Sequence, residues 1–421
     1  LTEYRDKTVC VVDCGLFVEF ARVLAKSFGR VLYFTEWVSP FPVSNDLLIG
    51  CGIPGVTRVN SIWPHIDEVD LFVFPDVYHG PLQVYLAKIG KRVWGCRSCE
   101  ELEIFRVASK EHQQALGIPI GPYSVVRGLD DLRDFLEEHD NVHVKISLSR
   151  GDMETFHSQS YKLVEPRLDE LEWKLGAKKT IMEFVVEQDI SPAIEIGYDG
   201  YTIDGRFPQM ALLGLEAKDD GLLAQVMPYT SLPEQAIDMN ARLSPTFAAC
   251  NYRGFFSSEI RITPDGTGYS IDPCCRMGSP PGELMQLIVA NWPDVLWEGS
   301  QGNLIEPEFK APWGAELMMH SPFADRSWVA IDFPPDLRDN VKFRNLTVID
   351  GKYYVAPHAT GVAEIGAVVA TGQTMQEAID NVRDVAEQVE GYDVDFNAAC
   401  LDDIEDDFAR LTALNAQRRV A

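Results

Sequence analysis

Gly254-Phe-Phe-Ser-Ser-Glu259-Ile-Arg-Ile262 and Gly268-Tyr-Ser-Ile-Asp272-Pro-Cys-Cys-Arg276-Met-Gly278-Ser-Pro280 are the two stretches on which the fold turns. Between them lies Pro264-Asp265-Gly266, a turn signal, so the two β-rich runs are expected to pair as an antiparallel hairpin. Alternation along a strand lets Glu259 and Asp272 face one cleft, where their carboxylates could serve a hard divalent cation. Arg276, two pleats beyond Asp272, offers a planar fork for a phosphate or carboxylate oxygen. On residue chemistry alone the same two acids can equally be solvent-facing side chains of an exposed hairpin.

Outward from the hairpin, the first hundred residues alternate apolar runs (8–13, 31–34, 71–75, 91–94) with an amphipathic stretch at 16–28. This strand, helix, strand rhythm predicts a parallel α/β layer. Only Gly15 follows the first strand, so the G-x-G-x-x-G fingerprint of dinucleotide binding is absent. Ser98 and Glu101 form a capping box for one predicted helix over 98–117, stopped by Gly117 and Pro119. Asp130 is the expected N-cap of a helix over 131–139, and 142–146 the next strand. Further strands are expected at 180–186, 193–198, 201–203, 328–331, 346–349, 353–356 and 367–371. Thr374 and Glu377 form a second capping box, opening a helix over 375–389. Changes of rhythm divide the chain into residues 1–105, 106–318 (two lobes, 106–180 and 181–318) and 319–421.

A chain of 421 residues with 46% hydrophobic side chains can bury a large core. A formal charge of -27 repels phosphate backbones, which argues against a nucleic-acid partner. No apolar run has membrane-spanning length and residues 1–8 lack a signal-peptide layout, so no membrane association and a cytoplasmic location are expected. Nine scattered cysteines, an odd number, fit reduced thiols better than a disulfide framework. Cys96-x-x-Cys99 has no second pair at zinc-finger spacing and reads as coincidence before a helix.

With these residues in place, the hairpin resembles the magnesium strand pair of the ATP-grasp superfamily. There an acid precedes a second acid by about a dozen residues, followed by an Asn two later and an Arg two after that. Glu259, Asp272 and Arg276 match; Cys274 stands at the Asn position, and a thiol is a poor magnesium ligand. The resemblance implies that Lys110, in Ser109-Lys-Glu-His112, is the first phosphate-gripping lysine and Lys145, in Val142-His-Val-Lys-Ile146, the second. Taken alone, Lys110 could be a solvated helix lysine and Lys145 the outward residue of an edge strand. The loop over the triphosphate would be 147–156, where Gly151 is the single glycine and Ser149, Arg150 and Thr155 replace backbone donors. Thr180-Ile-Met-Glu-Phe-Val-Val-Glu187 looks like the hinge strand, with Glu183 and Val185 flanking adenine and Glu187 or Asp189 holding the ribose. The tail Gly366-Ala-Val-Val-Ala-Thr-Gly372-Gln-Thr-Met-Gln-Glu377 is similar to the last lobe of phosphoribosylamine-glycine ligases and their carboxylase relatives.

The resemblance therefore implies an α/β and α+β protein of ATP-grasp architecture: an N-terminal parallel α/β lobe, a split ATP-binding region and a small C-terminal α+β lobe. It implies ATP and Mg2+ as cofactors, with Mn2+ an acceptable substitute, small-molecule carboxylate and amine substrates, and a homodimer as the oligomer to look for. The reaction would be amide formation through an acyl phosphate, with Arg276 stabilising the acyl phosphate. A non-catalytic nucleotide-binding module and a phosphotransferase on the same fold are the alternatives.

Overall fold

The computed structural model describes residues 4–36, 48–147, 155–357 and 363–418. Short, continuous apolar runs in the first hundred residues form strands covered on both faces, as a parallel sheet requires. Val9, Val11 and Val12 of the strand Tyr4–Val12 are fully buried. Five parallel strands run in the order Val56–Arg58, Phe28–Phe34, Tyr4–Val12, Leu71–Val73, Arg92–Trp94. The helix Val18–Ala25 follows the first strand and the helix Gly80–Lys88 the fourth.

The single helix expected over 98–117 is broken. A 3-10 turn Arg97–Glu100 leads into Glu101–Ile104, and a second helix spans Arg106–Ala115. Phe105, with ψ of 75°, separates them, and no side chain caps either start, so Ser98 and Glu101 are not a capping box. The break turns the Arg106–Ala115 helix so that Arg106 and Lys110, one turn apart, both point toward the hairpin. Asp130 is likewise not an N-cap: the next helix, Leu129–Glu138, starts after Gly128, and Asp130 and Asp131 sit in its first turn, where the helix dipole favours them.

A four-stranded antiparallel sheet follows, ordered Tyr123–Arg127, Glu183–Gln188, Val142–Ile146, Thr155–Ser158. Leu129, Leu132 and Leu136 of one helix and Val164 and Leu168 of another, Tyr161–Leu175, bury themselves on Val144, Phe184 and Val186, a separate core.

The largest sheet has eight antiparallel strands: Gly268–Cys274, Arg253–Ile262, Ile194–Ile203, Met210–Ala217, Gly221–Pro228, Trp313–His320, Glu364–Gly372 and Val341–Phe343. The hairpin is its edge. The expected strands at 193–198 and 201–203 are one strand, and Met210–Ala217, Gly221–Pro228, Trp313–His320 and Val341–Phe343 were not anticipated. The helix Met375–Ala386 starts at Thr374, whose hydroxyl accepts from Glu377 N at 3.1 Å; Glu377 reaches back to Gln373 N at 2.7 Å. A final helix, Cys400–Arg418, places Phe408 edge-on to Trp313. Four short strands, Leu346–Ile349, Lys352–Val355, Val329–Asp332 and Glu390–Gly391, complete the tail.

The first layer is welded to the hairpin. Gly95 N donates to Arg253 O at 2.7 Å, and Trp94 and Trp292 pack edge-on against Phe255 at 5.4 and 5.3 Å. Among the described residues no helix is long and apolar enough to cross a membrane.

Candidate active site

The hairpin carries an irregularity that aims its acids. Ser258 pairs with Pro273 and Ile260 with Ser270, so Ile271 and Asp272 together oppose Glu259, as in a β-bulge. Glu259 and Asp272 line one cleft between the hairpin, the Arg106–Ala115 helix and the four-stranded sheet.

Asp272 is gripped from both sides. Arg106 donates to its Oδ1 at 3.0 Å and Lys145 to its Oδ2 at 2.9 Å. Lys145 also lies 3.3 Å from Glu187 Oε2, and Lys110 lies 2.8 Å from Glu187 Oε1 while donating to the Ile271 carbonyl at 3.0 Å. Lys110 and Lys145 are each only 4% exposed, so neither is a solvated surface lysine. Lys145 sits on a strand paired on both sides, which removes the edge-strand alternative.

Burial opposes every one of these charges, and the partners decide the outcome. Asp272 is held below the ordinary carboxylate range, because Lys145, Arg106 and Lys110 outweigh desolvation. Glu187 is lowered by Lys145 and Lys110 against the same penalty. Lys110 is itself lowered by desolvation, whereas Lys145, facing Asp272 and Glu187, is raised despite it.

Glu259 behaves oppositely. Burial, then the charges of Asp272 and Glu195, push its carboxyl up to about 7. Its partner is the Cys274 thiol, which donates to Oε1 at 3.0 Å; no ion pair joins it to a cation among the described residues. Cys274 is raised well above the usual thiol range by burial and by Glu259, so it stays a neutral donor. Glu216, on the neighbouring wall, is raised by burial, Glu259 and Glu195. Arg261 pairs with Glu195 at 2.8 Å, but Glu259 and Glu216 have no ion-pair partner among the described residues, and a divalent cation fits beside them. The donor set is carboxylate oxygen apart from Cys274, as magnesium prefers.

Arg276 also faces the cleft. Its Nε donates to Glu103 Oε1 at 2.7 Å and its Nη1 to the Met277 carbonyl at 3.1 Å, and Glu103 Oε2 accepts from Cys275 N at 2.8 Å. Glu103 thus fixes the orientation of the guanidinium.

The structure lines one cleft with Lys145, Glu187, Glu259, Asp272 and Arg276, and Lys110 joins them from behind through Glu187 and the Ile271 carbonyl. It does not bring Glu183 or Val185 there. Both lie within the strand Glu183–Gln188, whose backbone is paired with Tyr123–Arg127 on one side and Val142–Ile146 on the other. The chain leaves that sheet after Gln188, and Gln188 and Ile190 are the residues that wall the cleft. The cleft wall at this strand is thus formed by 187–190 rather than by 183–185. Neither acid suggested for ribose is idle: Glu187 faces the lysines, and Asp189 meets His143 at 3.0 Å and Arg261 at 3.2 Å. Thr155 lines the cleft, while Ser149, Arg150 and Gly151 lie outside the described residues. Arg106, Glu103, Gln188, Ile190 and Glu195 were not anticipated. Arg106 had a signal, since it precedes Lys110 by four residues and shares its helix face.

No family model matches the sequence, and no curated protein matches it. Solved structures do resemble it. Phosphoribosylamine-glycine ligase from Thermotoga maritima superposes with a TM-score of 0.69 at 16% identity, covering 92% of this chain and 98% of that one. The biotin carboxylase domain of 2-oxoglutarate carboxylase from Hydrogenobacter thermophilus, solved with MgADP, ADP and bicarbonate, gives 0.65 at 11% identity, covering 93% and 92%. N5-carboxyaminoimidazole ribonucleotide synthetase from Thermotoga maritima gives 0.59 at 12% identity, covering 91% and 99%. The chain has the ATP-grasp fold.

Proposed function

We propose, from this fold and cleft, that the protein is an ATP- and magnesium-dependent ligase joining a carboxylate to an amine through an acyl phosphate. The observation that carries the proposal is the buried group of Lys110, Lys145 and Arg106 closed on Asp272 and Glu187, beside a Glu259 that forms no ion pair among the described residues. Three buried cations facing two carboxylates leave positive charge that a polyphosphate would satisfy, while Glu259 and Asp272 together ask for a dication.

In this reading Lys110, Lys145 and Arg106 exchange carboxylate oxygens for phosphate oxygens when nucleotide enters. Gln188 and Ile190, at the exit from the four-stranded sheet, flank the base. Glu259 and Asp272 hold Mg2+, which when bound supplies charge neutralisation to the phosphates. Arg276, kept in place by Glu103, presents its remaining N–H groups to the acyl phosphate and to the tetrahedral species formed by the amine, a role worth roughly 3 to 4 kcal/mol in comparable sites. No protein nucleophile is required. Residues 1–105 and 319–421 would supply the loops that select the two substrates.

Product analysis tests this. A ligase releases ADP and phosphate and forms a new amide only when both a carboxylate and an amine are present; a phosphotransferase yields ADP without the amine. Cys274 favours the non-catalytic alternative, because a neutral thiol replaces an oxygen ligand beside Glu259. Nucleotide binding without ADP release over a broad screen of substrate pairs would support that alternative and defeat the ligase.

A further inference from the structure

A second group of ligand-type side chains lies at the carboxyl edge of the parallel sheet, beside the outgoing end of the hairpin, where Met277 N donates to Pro75 O at 2.8 Å and Asp76 feels the charge of Arg276. Strand order reverses there between Tyr4–Val12 and Leu71–Val73, so the loops leaving these neighbours part and open a crevice. Asp13 follows the first strand directly and Asp76 comes three residues after the second. One ligand atom each from Asp13, Cys14 and Asp76 lies within 4.8 Å of the others.

Asp13 is anchored through one oxygen and Asp76 through both. Asp13 Oδ2 accepts from Gly15 N at 3.0 Å, Phe17 N at 3.0 Å and the Tyr33 hydroxyl at 2.9 Å. Asp13 Oδ1 has no hydrogen-bond partner among the described residues, although the residue is 1% exposed. An orphaned buried acceptor costs about 1–3 kcal/mol, more when charged, and so points to a missing partner. Asp76 Oδ1 accepts from Val77 N at 2.8 Å, and its Oδ2 accepts from the Cys14 thiol at 2.8 Å. Anchoring of this kind is what outer-shell donors do for metal-binding carboxylates.

We propose that Asp13, Cys14 and Asp76 form a binding site for a divalent transition cation of the zinc class, separate from the Glu259 and Asp272 pair. Tetrahedral ligand distances of about 2.0–2.3 Å put ligand atoms roughly 3.3–3.8 Å apart, so three atoms lying within 4.8 Å of one another close on a shared ion with side-chain shifts of about an ångström. A thiolate selects against magnesium and calcium, which want oxygen throughout. Three protein ligands leave a coordination position for a further group. On binding, the Cys14 S–H bond to hydrogen breaks, the proton passes to solvent, and a sulfur–metal bond replaces the thiol's bond to Asp76.

Cobalt(II) is the probe, titrated into the full chain without nucleotide and read by thiolate-to-cobalt charge-transfer absorption. We expect one equivalent to bind with a charge-transfer band and to release a proton. Cys14→Ser should abolish the band, and Asp76→Asn should weaken binding by about tenfold or more. Asp272→Asn should leave the band unchanged. Absence of the band in folded wild type, its survival in Cys14→Ser, or its loss in Asp272→Asn would each overturn the site.

Discussion

Asp272 sits where removing either neighbour has different consequences. Lys145→Ala would leave Asp272 and Glu187 buried and facing one another's charge, and breaking a buried pair in this way costs roughly 3–5 kcal/mol. We expect its urea midpoint to fall accordingly; an unchanged midpoint would mean that the cluster is not closed as described. Asp272→Asn keeps the shape and leaves Lys145 its Glu187 contact, which makes it the cleaner probe of function. Glu259 gives a pH signature. Its folded carboxyl, at about 7, lies above its ordinary value of 4.5, so its contribution to stability is present below about pH 4.5 and is lost as pH rises through 7. Magnesium-free protein should therefore lose up to roughly 3 kcal/mol between about pH 5 and 8, a loss that Glu259→Gln or added magnesium reduces in denaturant melts. At this scale Glu259 and Asp272 were legible as a facing pair because their spacing within one hairpin is local, whereas Lys110 and Lys145 were picked out only by the family resemblance. Arg106 meets Asp272 across 166 positions, and Glu103 meets Arg276 across 173, distances over which spacing carries no information.

Among the elements, hairpin and capping signals were read well where the turn chemistry is strong. Pro264-Asp265-Gly266 gave the hairpin, and Thr374 gave the start of Met375–Ala386. Thr374→Ala should cost about 1 kcal/mol by loss of its bond to Glu377 N, seen as a lowered melting temperature with no change in nucleotide binding. The bulge at Ile271 and Asp272, the break at Phe105 and the exit after Gln188 were not legible. Each is set by pairing with a distant strand or helix rather than by local propensity. Periodicity locates a strand but not the residue at which its backbone leaves the sheet. At the metal pair, Cys274→Asn would replace a neutral thiol with an amide oxygen. It should tighten magnesium binding severalfold in a nucleotide-bound titration; no change would show that position 274 does not face the ion.

Across the whole molecule, the eight-stranded sheet runs from the hairpin into the C-terminal residues, so the last lobe shares one sheet with the hairpin. Four of its strands, Val341–Phe343 among them, escaped the sequence; apolar runs such as Met210–Ala217 are buried on both faces and lose their alternation. The parallel layer was legible from rhythm alone, and the ATP-grasp fold follows from its joining to the split region and the hairpin. The most direct test of the central claim is calorimetric binding of a non-hydrolysable ATP analogue, with and without magnesium, to wild type and Asp272→Asn. The account predicts tight magnesium-dependent binding by wild type that the substitution weakens by at least about tenfold, the cost of one charge-assisted contact. Equal binding by both proteins, or none by folded wild type, would contradict it.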